Sequence, residues 1–130
     1  MVEDDRCIMK IVTLPIFTDR PSNPAKVNMA TGTIMLNRQA MSLLPLHAQK
    51  FVLLHEEGHY RLQTYDEILA DEYALSHLAL RQPNSLWNYV QAVRMVTSDK
   101  NRQRQAAIKA LEIAAQQGSN LAQKLIKYYV

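Results

Sequence analysis

Two histidines four residues apart, with a glutamate directly after the first, make up the segment His55-Glu56-Glu57-Gly58-His59. In a helix, residues four apart stand one above the other on the same face, so both imidazoles can turn a nitrogen toward a single metal ion. Glu56 follows the first of them about 100° round the helix. Its carboxylate then lies beside the metal rather than on it, where it can take a proton from an activated water. The chemistry this spacing suits is zinc-assisted hydrolysis, with His55 and His59 as ligands and Glu56 as general base.

A helix has to carry these residues, and residues 46–62 read as one, with Pro45 near its first turn, where a missing N–H costs little. Phe51, Leu54, His55, Gly58, His59 and Leu62 share one side of the wheel, opposite Lys50, Glu57 and Tyr60. Both histidines thus fall on the inward face. Gly58 costs a helix about 1 kcal/mol against alanine but lets a neighbouring backbone come close. The bland alternative is a buried helix with two hydrogen-bonded histidines; the full five-residue arrangement argues against it.

Catalytic zinc takes three protein ligands and leaves one position open. Thr64-Tyr65-Asp66-Glu67 has the form of a capping box, which predicts a second helix over residues 64–80, stopping before Pro83. On it Glu67, Ala70, Asp71, Ala74 and Leu78 share a side, and two carboxylates there are costly to bury unless they bind metal or accept hydrogen bonds. The simplest division makes Glu67 the third ligand and Asp71 the acceptor for the other ring N–H of His55. The exchange of roles stays open: Asp71 on the metal, with Glu67 closing the capping box. So do the plainer roles, a cap for Glu67 and a helix salt bridge for Asp71.

These residues resemble the gluzincin kind of zincin metallopeptidase. The string from Phe51 through His55-Glu56-x-Gly58-His59, followed by Glu67-x-x-Ala70-Asp71-x-Tyr73-Ala74, looks most like the compact ImmA/IrrE-type peptidases found in bacteria, phages and mobile elements. The likeness covers about residues 26–80. It implies a metalloprotease hydrolysing peptide bonds, with Zn2+ on His55, His59 and Glu67 and with Asp71 supporting a histidine. It also implies an edge strand that holds the substrate backbone, for which residues 33–36 are the candidate. The gap between His59 and Glu67 is shorter than in those families, and no separate histidine or tyrosine motif marks an oxyanion donor. Tyr60, Arg61 and Tyr65 are the candidates near the turn. A metzincin is excluded, because the glycine and histidine it needs are Leu62 and Tyr65 here.

The 130 residues read as one domain, 1–130, with a strand and hairpin region (1–44), the two motif helices (45–81) and C-terminal helices (84–130). The expected class is α+β: a minimal zincin-like fold, mostly helical, with a small N-terminal antiparallel sheet. Residues 7–14 read as a strand, 17–26 as a loop, and 27–37 as a hairpin turning at Thr31-Gly32. Residues 38–44 suit a helical turn, and further helices are expected over 85–96, capped by Asn84 or Ser85, then 101–116 and 120–129. Trp87 is expected as a core anchor, and His47 and His77 as surface or outer-layer residues.

Net charge is +3. The basic run Arg94, Lys100, Arg102, Arg104 and Lys109 lacks interleaved aromatics and reads as a solvated helix face, so nucleic acid is not the expected partner. No apolar run is long enough to span a bilayer. The lone Cys7 carries no assigned chemistry, and with the acidic N-terminus it gives a cytoplasmic expectation. The expected partner is a peptide or protein substrate. The alternative is a catalytically silent zincin-like protein in which the metal is a structural staple and the C-terminal helices bind a partner.

Overall fold

A computed structural model describes residues 9–81 and 86–129. Cys7, the start of the expected first strand and the expected caps Asn84 and Ser85 lie outside the described residues. The fold is α+β, with three short strands followed by six helices among the described residues. The strands are β1 (Ile11–Leu14), β2 (Ala25–Val27) and β3 (Ile34–Asn37), and a short helix α1 (Arg38–Ser42) follows directly. The long helices are α2 (Leu46–Leu62), α3 (Glu67–Arg81), α4 (Leu86–Val96), α5 (Lys100–Gln116) and α6 (Asn120–Tyr129). Among the described residues no helix is long and apolar enough to cross a membrane.

The sheet order is β1-β3-β2. The expected hairpin is present, with Val27 opposite Ile34. β1, however, adds to the far side of β3 in parallel, with Ile11 opposite Ile34, so the sheet is mixed rather than antiparallel. The loop after Pro15 is long enough to pass over the end of β3, and a buried asparagine fixes it there. Asn37 donates from Nδ2 to the carbonyls of Pro21 (2.9 Å) and Asn23 (3.0 Å), and its Oδ1 caps α1 at the Ala40 N–H (3.2 Å). One consequence corrects the substrate-strand expectation. Residues 33–36 fall largely on β3, which is the central strand; the open edge beside the motif helix is β2.

Helix α2 has the expected bounds, with Pro45 at the N-cap position. It ends at Gln63, whose φ of 50° is left-handed. This position ordinarily favours glycine, and a non-glycine residue pays about 1 kcal/mol there. The chain is then outside any helix from Thr64 to Asp66. That shifts the start of α3 from the expected Thr64 to Glu67: the cap is Asp66, whose Oδ1 accepts from the N–H groups of Ile68 (2.8 Å) and Leu69 (3.2 Å). Thr64 instead accepts from the Asp66 N–H. Aspartate caps better than threonine, and the reversal needs the intervening residues unwound.

The core joins α2, α3 and α4 through Ala48, Phe51, Ala74, Leu75, Tyr89, Val90 and Val93, closed by the alanines Ala106, Ala107 and Ala110 of α5. Alanines at the helix contacts let the axes approach. A Cβ on Gly58 would lie 2.9 Å from the Tyr73 Cβ, so the glycine is what allows α3 to pack against α2 at the motif. Trp87 is not the anchor; it is 49 % exposed, and Tyr89 is the buried aromatic of α4. Leu86, Tyr89, Val90 and Val93 follow the helical period, and Trp87 stands one residue off that face.

Candidate metal centre

Helices α2 and α3 bring His55, His59 and Glu67 together. The His55 Nε2 lies 3.0 Å from the His59 Nε2, and a single oxygen, Glu67 Oε1, lies 3.0 Å from the first and 2.7 Å from the second. The other ring nitrogens determine what these atoms are. His59 Nδ1 faces the Thr64 carbonyl at 2.8 Å, and a carbonyl only accepts, so Nδ1 carries the proton. His55 Nδ1 faces Asp71 Oδ1 at 2.7 Å and donates to it. In the neutral rings both Nε2 atoms therefore present lone pairs, toward each other and toward a carboxylate oxygen. Three electron-pair donors this close repel unless a positive centre, a proton or a metal cation, sits among them. A tetrahedral site with bonds of about 2.0–2.1 Å has donor edges of roughly 3.3 Å, so opening each side chain by a few tenths of an ångström fits the set around one ion. These residues could hold a metal ion.

In the metal-free chain the protons follow the same logic. Burial pulls His55 down, but its hydrogen bonds to Asp71 and Glu67 outweigh that and raise it to about 9. His59 is likewise raised, its bonds to Glu67 and to the Thr64 carbonyl outweighing burial. Hydrogen bonds from His55 and His59 hold the Glu67 carboxyl far below the usual range.

Asp71 is 1 % exposed and fully engaged. Besides His55, it accepts two bonds from one guanidinium: Arg102 Nε to Oδ2 at 2.6 Å and Nη2 to Oδ1 at 2.8 Å. Of the two roles left open by the sequence, this geometry has Glu67 in the donor cluster and Asp71 behind His55. Arg102 corrects the solvated-face reading of the basic run, since its side chain is only 11 % exposed and spans from α5 to the centre. The sequence carried a signal for it. The first turn of α5 holds Lys100 and Arg102 and no acid, against the helix dipole, and a buried Asp71 needed a cation.

Glu56 stands apart from this network. It makes no hydrogen bond or ion pair among the described residues, and burial pushes its carboxyl above the ordinary value against the pull of His55 and His59. Two hollows meet at Glu56 and Glu67. One, about 120 Å³, is walled by Asn23, Pro24, Phe51, Val52, His55, Val96 and Arg102. The other, about 300 Å³, is walled by Arg20, Lys26, Val27, Met29, His59 and Tyr65. Of the three oxyanion candidates, Tyr65 borders the larger of these two hollows and the other two do not. Tyr60 packs its ring against Gly32 at the hairpin turn, and Arg61 belongs to a cluster with Tyr73 and Glu57. His47 packs edge-on against Tyr89, and His77 stacks on Tyr73, both outside the centre.

Comparison of the chain with family models, curated proteins and solved structures gives no match.

Proposed function

We propose that this protein is a zinc-dependent peptidase, with His55, His59 and Glu67 as ligands and Glu56 as general base. The observation that carries the reading is the unpaired Glu56 carboxylate, raised in proton affinity, at the junction of two hollows and one residue from a converging donor set. A structural zinc site has no use for such a group. Bound zinc would supply Lewis acidity, lowering the pKa of a coordinated water toward about 7 and polarising the scissile carbonyl.

The residues of the chain supply the rest. Asp71, held by Arg102, keeps the His55 proton on Nδ1, and the Thr64 carbonyl does the same for His59, so both Nε2 lone pairs stay directed inward. Glu56 accepts a proton from the attacking water and passes it to the leaving amine. The edge of β2 offers the substrate a backbone partner. Asn28 N–H donates to the Thr33 carbonyl and Asn37 N–H to that of Pro24, so with the observed register Lys26 is the residue bonded inward to β3. The N–H and C=O of Val27 then face outward, beside the larger hollow, and can pair with an extended peptide. Incubating zinc-loaded protein with a mixed peptide pool and reading new termini by mass spectrometry tests the proposal. Cleavage that disappears in Glu56→Gln supports it, and an inert wild-type protein with full zinc content removes it.

The second reading, a silent metal-stapled binding module, draws on α6. Leu121 and Leu125, one turn apart, are 66 % and 38 % exposed on a helix seated on α5. The same peptide pool separates the two readings.

A further inference from the structure

We propose that the larger hollow is a subsite for an acidic side chain, so that the substrate carries Asp or Glu close to the bond presented at His55, His59 and Glu67. This rests on the peptidase reading and names its substrate class. The hollow holds two cations, Arg20 from the loop after β1 and Lys26 from β2. Neither enters an ion pair among the described residues. Of the acids in the same wall, Glu67 faces the two histidines, and Glu56, which has no partner among the described residues, sits at the junction with the other hollow.

The placement of Lys26 is fixed. Its ammonium sits 4.7 Å from the centroid of the Phe17 ring, and Phe17 is 2 % exposed. A cation over an aromatic face is held without being neutralised, so the charge stays available to a ligand. Lys26 also lies on the opposite face of β2 from Ala25, which is buried against the helices. A peptide paired along the β2 edge turns alternate side chains to that face. An acidic side chain there meets two cations, and a basic one meets repulsion. The smaller hollow offers no such free charge among its described lining residues, because its guanidinium, that of Arg102, already binds Asp71.

The test uses zinc-loaded Glu56→Gln protein and fluorescent decapeptides of alanine and valine with a single Asp, Asn or Lys stepped along the sequence. Exposed charge pairs contribute up to about fivefold each, so anisotropy is expected to show one or two positions where Asp binds about tenfold tighter than Asn and Lys binds weaker. That preference shrinks as salt is raised. Arg20→Glu with Lys26→Glu reverses it toward Lys, and the milder Arg20→Gln with Lys26→Gln abolishes it. Equal binding of Asp and Asn at every position, or a preference unchanged in both double variants, overturns the inference. Wild-type protein on the same peptides separates the two claims. Cleavage indifferent to the acid sinks the subsite and leaves the peptidase. Acid-selective binding with no cleavage keeps the subsite and sinks the peptidase. Neither binding nor cleavage sinks both.

Discussion

The Nδ1 atoms of His55 and His59 decide what their Nε2 atoms can do. Each Nδ1 has an acceptor, a carboxylate for one and a main-chain carbonyl for the other. Asp71→Asn tests this at one atom. An amide can present N–H to His55 Nδ1 and so favour the wrong tautomer, and it also leaves Arg102 without its anionic partner. Zinc affinity is expected to fall about 10- to 100-fold, read by competition with a chromophoric chelator, while an unchanged affinity would deny Asp71 its role. Glu56→Gln is expected to do the reverse: zinc stays bound and turnover falls to background. The histidines, both glutamates and Asp71 were legible in the sequence because helical spacing alone puts them on facing sides. Arg102 was not picked out, since it arrives from α5 and only tertiary packing brings it to Asp71.

Helix α2 was readable to its ends because its inward positions, from Ala48 and Phe51 to His55, Gly58 and His59, keep the helical period and Pro45 marks its start. The start of α3 was misjudged because Thr64 and Asp66 are both helix-capping residue types, and Asp66 is the better cap. The parallel pairing of β1 was missed for a different reason. Alternation marks strands but does not say which side of β3 a distant strand will take, and the clamp at Asn37 that fixes the loop is a long-range contact. The close contact of α2 and α3 at Gly58 gives a prediction for this pair of helices. Alanine is the better helix former, yet Gly58→Ala is expected to destabilise the protein by about 1–3 kcal/mol, because its Cβ must push Tyr73 away. Chemical denaturation measures it, and a more stable variant would show that the contact relaxes freely.

The two motif helices and α5 meet at the centre, so a metal bound there would couple to folding across the molecule. With zinc in large excess over its Kd, the melting temperature is expected to rise by roughly 10 °C over the chelated protein. The two forms differ in pH dependence. In the metal-free chain His55 is raised to about 9, so its contribution to stability is complete below about 6.5 and is lost as pH climbs through 9. Zinc must displace that proton, so its binding strengthens over the same window. The gap between the two melting curves should widen from pH 6.5 to 9; a constant gap would mean that His55 does not exchange its proton for the metal.

The convergence of His55, His59 and Glu67 on one cation is tested most directly by elemental analysis of purified protein, incubated with excess zinc and then freed of unbound ion. About one zinc per chain is expected, with Glu67→Ala and His55→Ala each retaining only a small fraction under the same wash. Absence of stoichiometric zinc in the folded wild-type chain, or full retention in both variants, would contradict it.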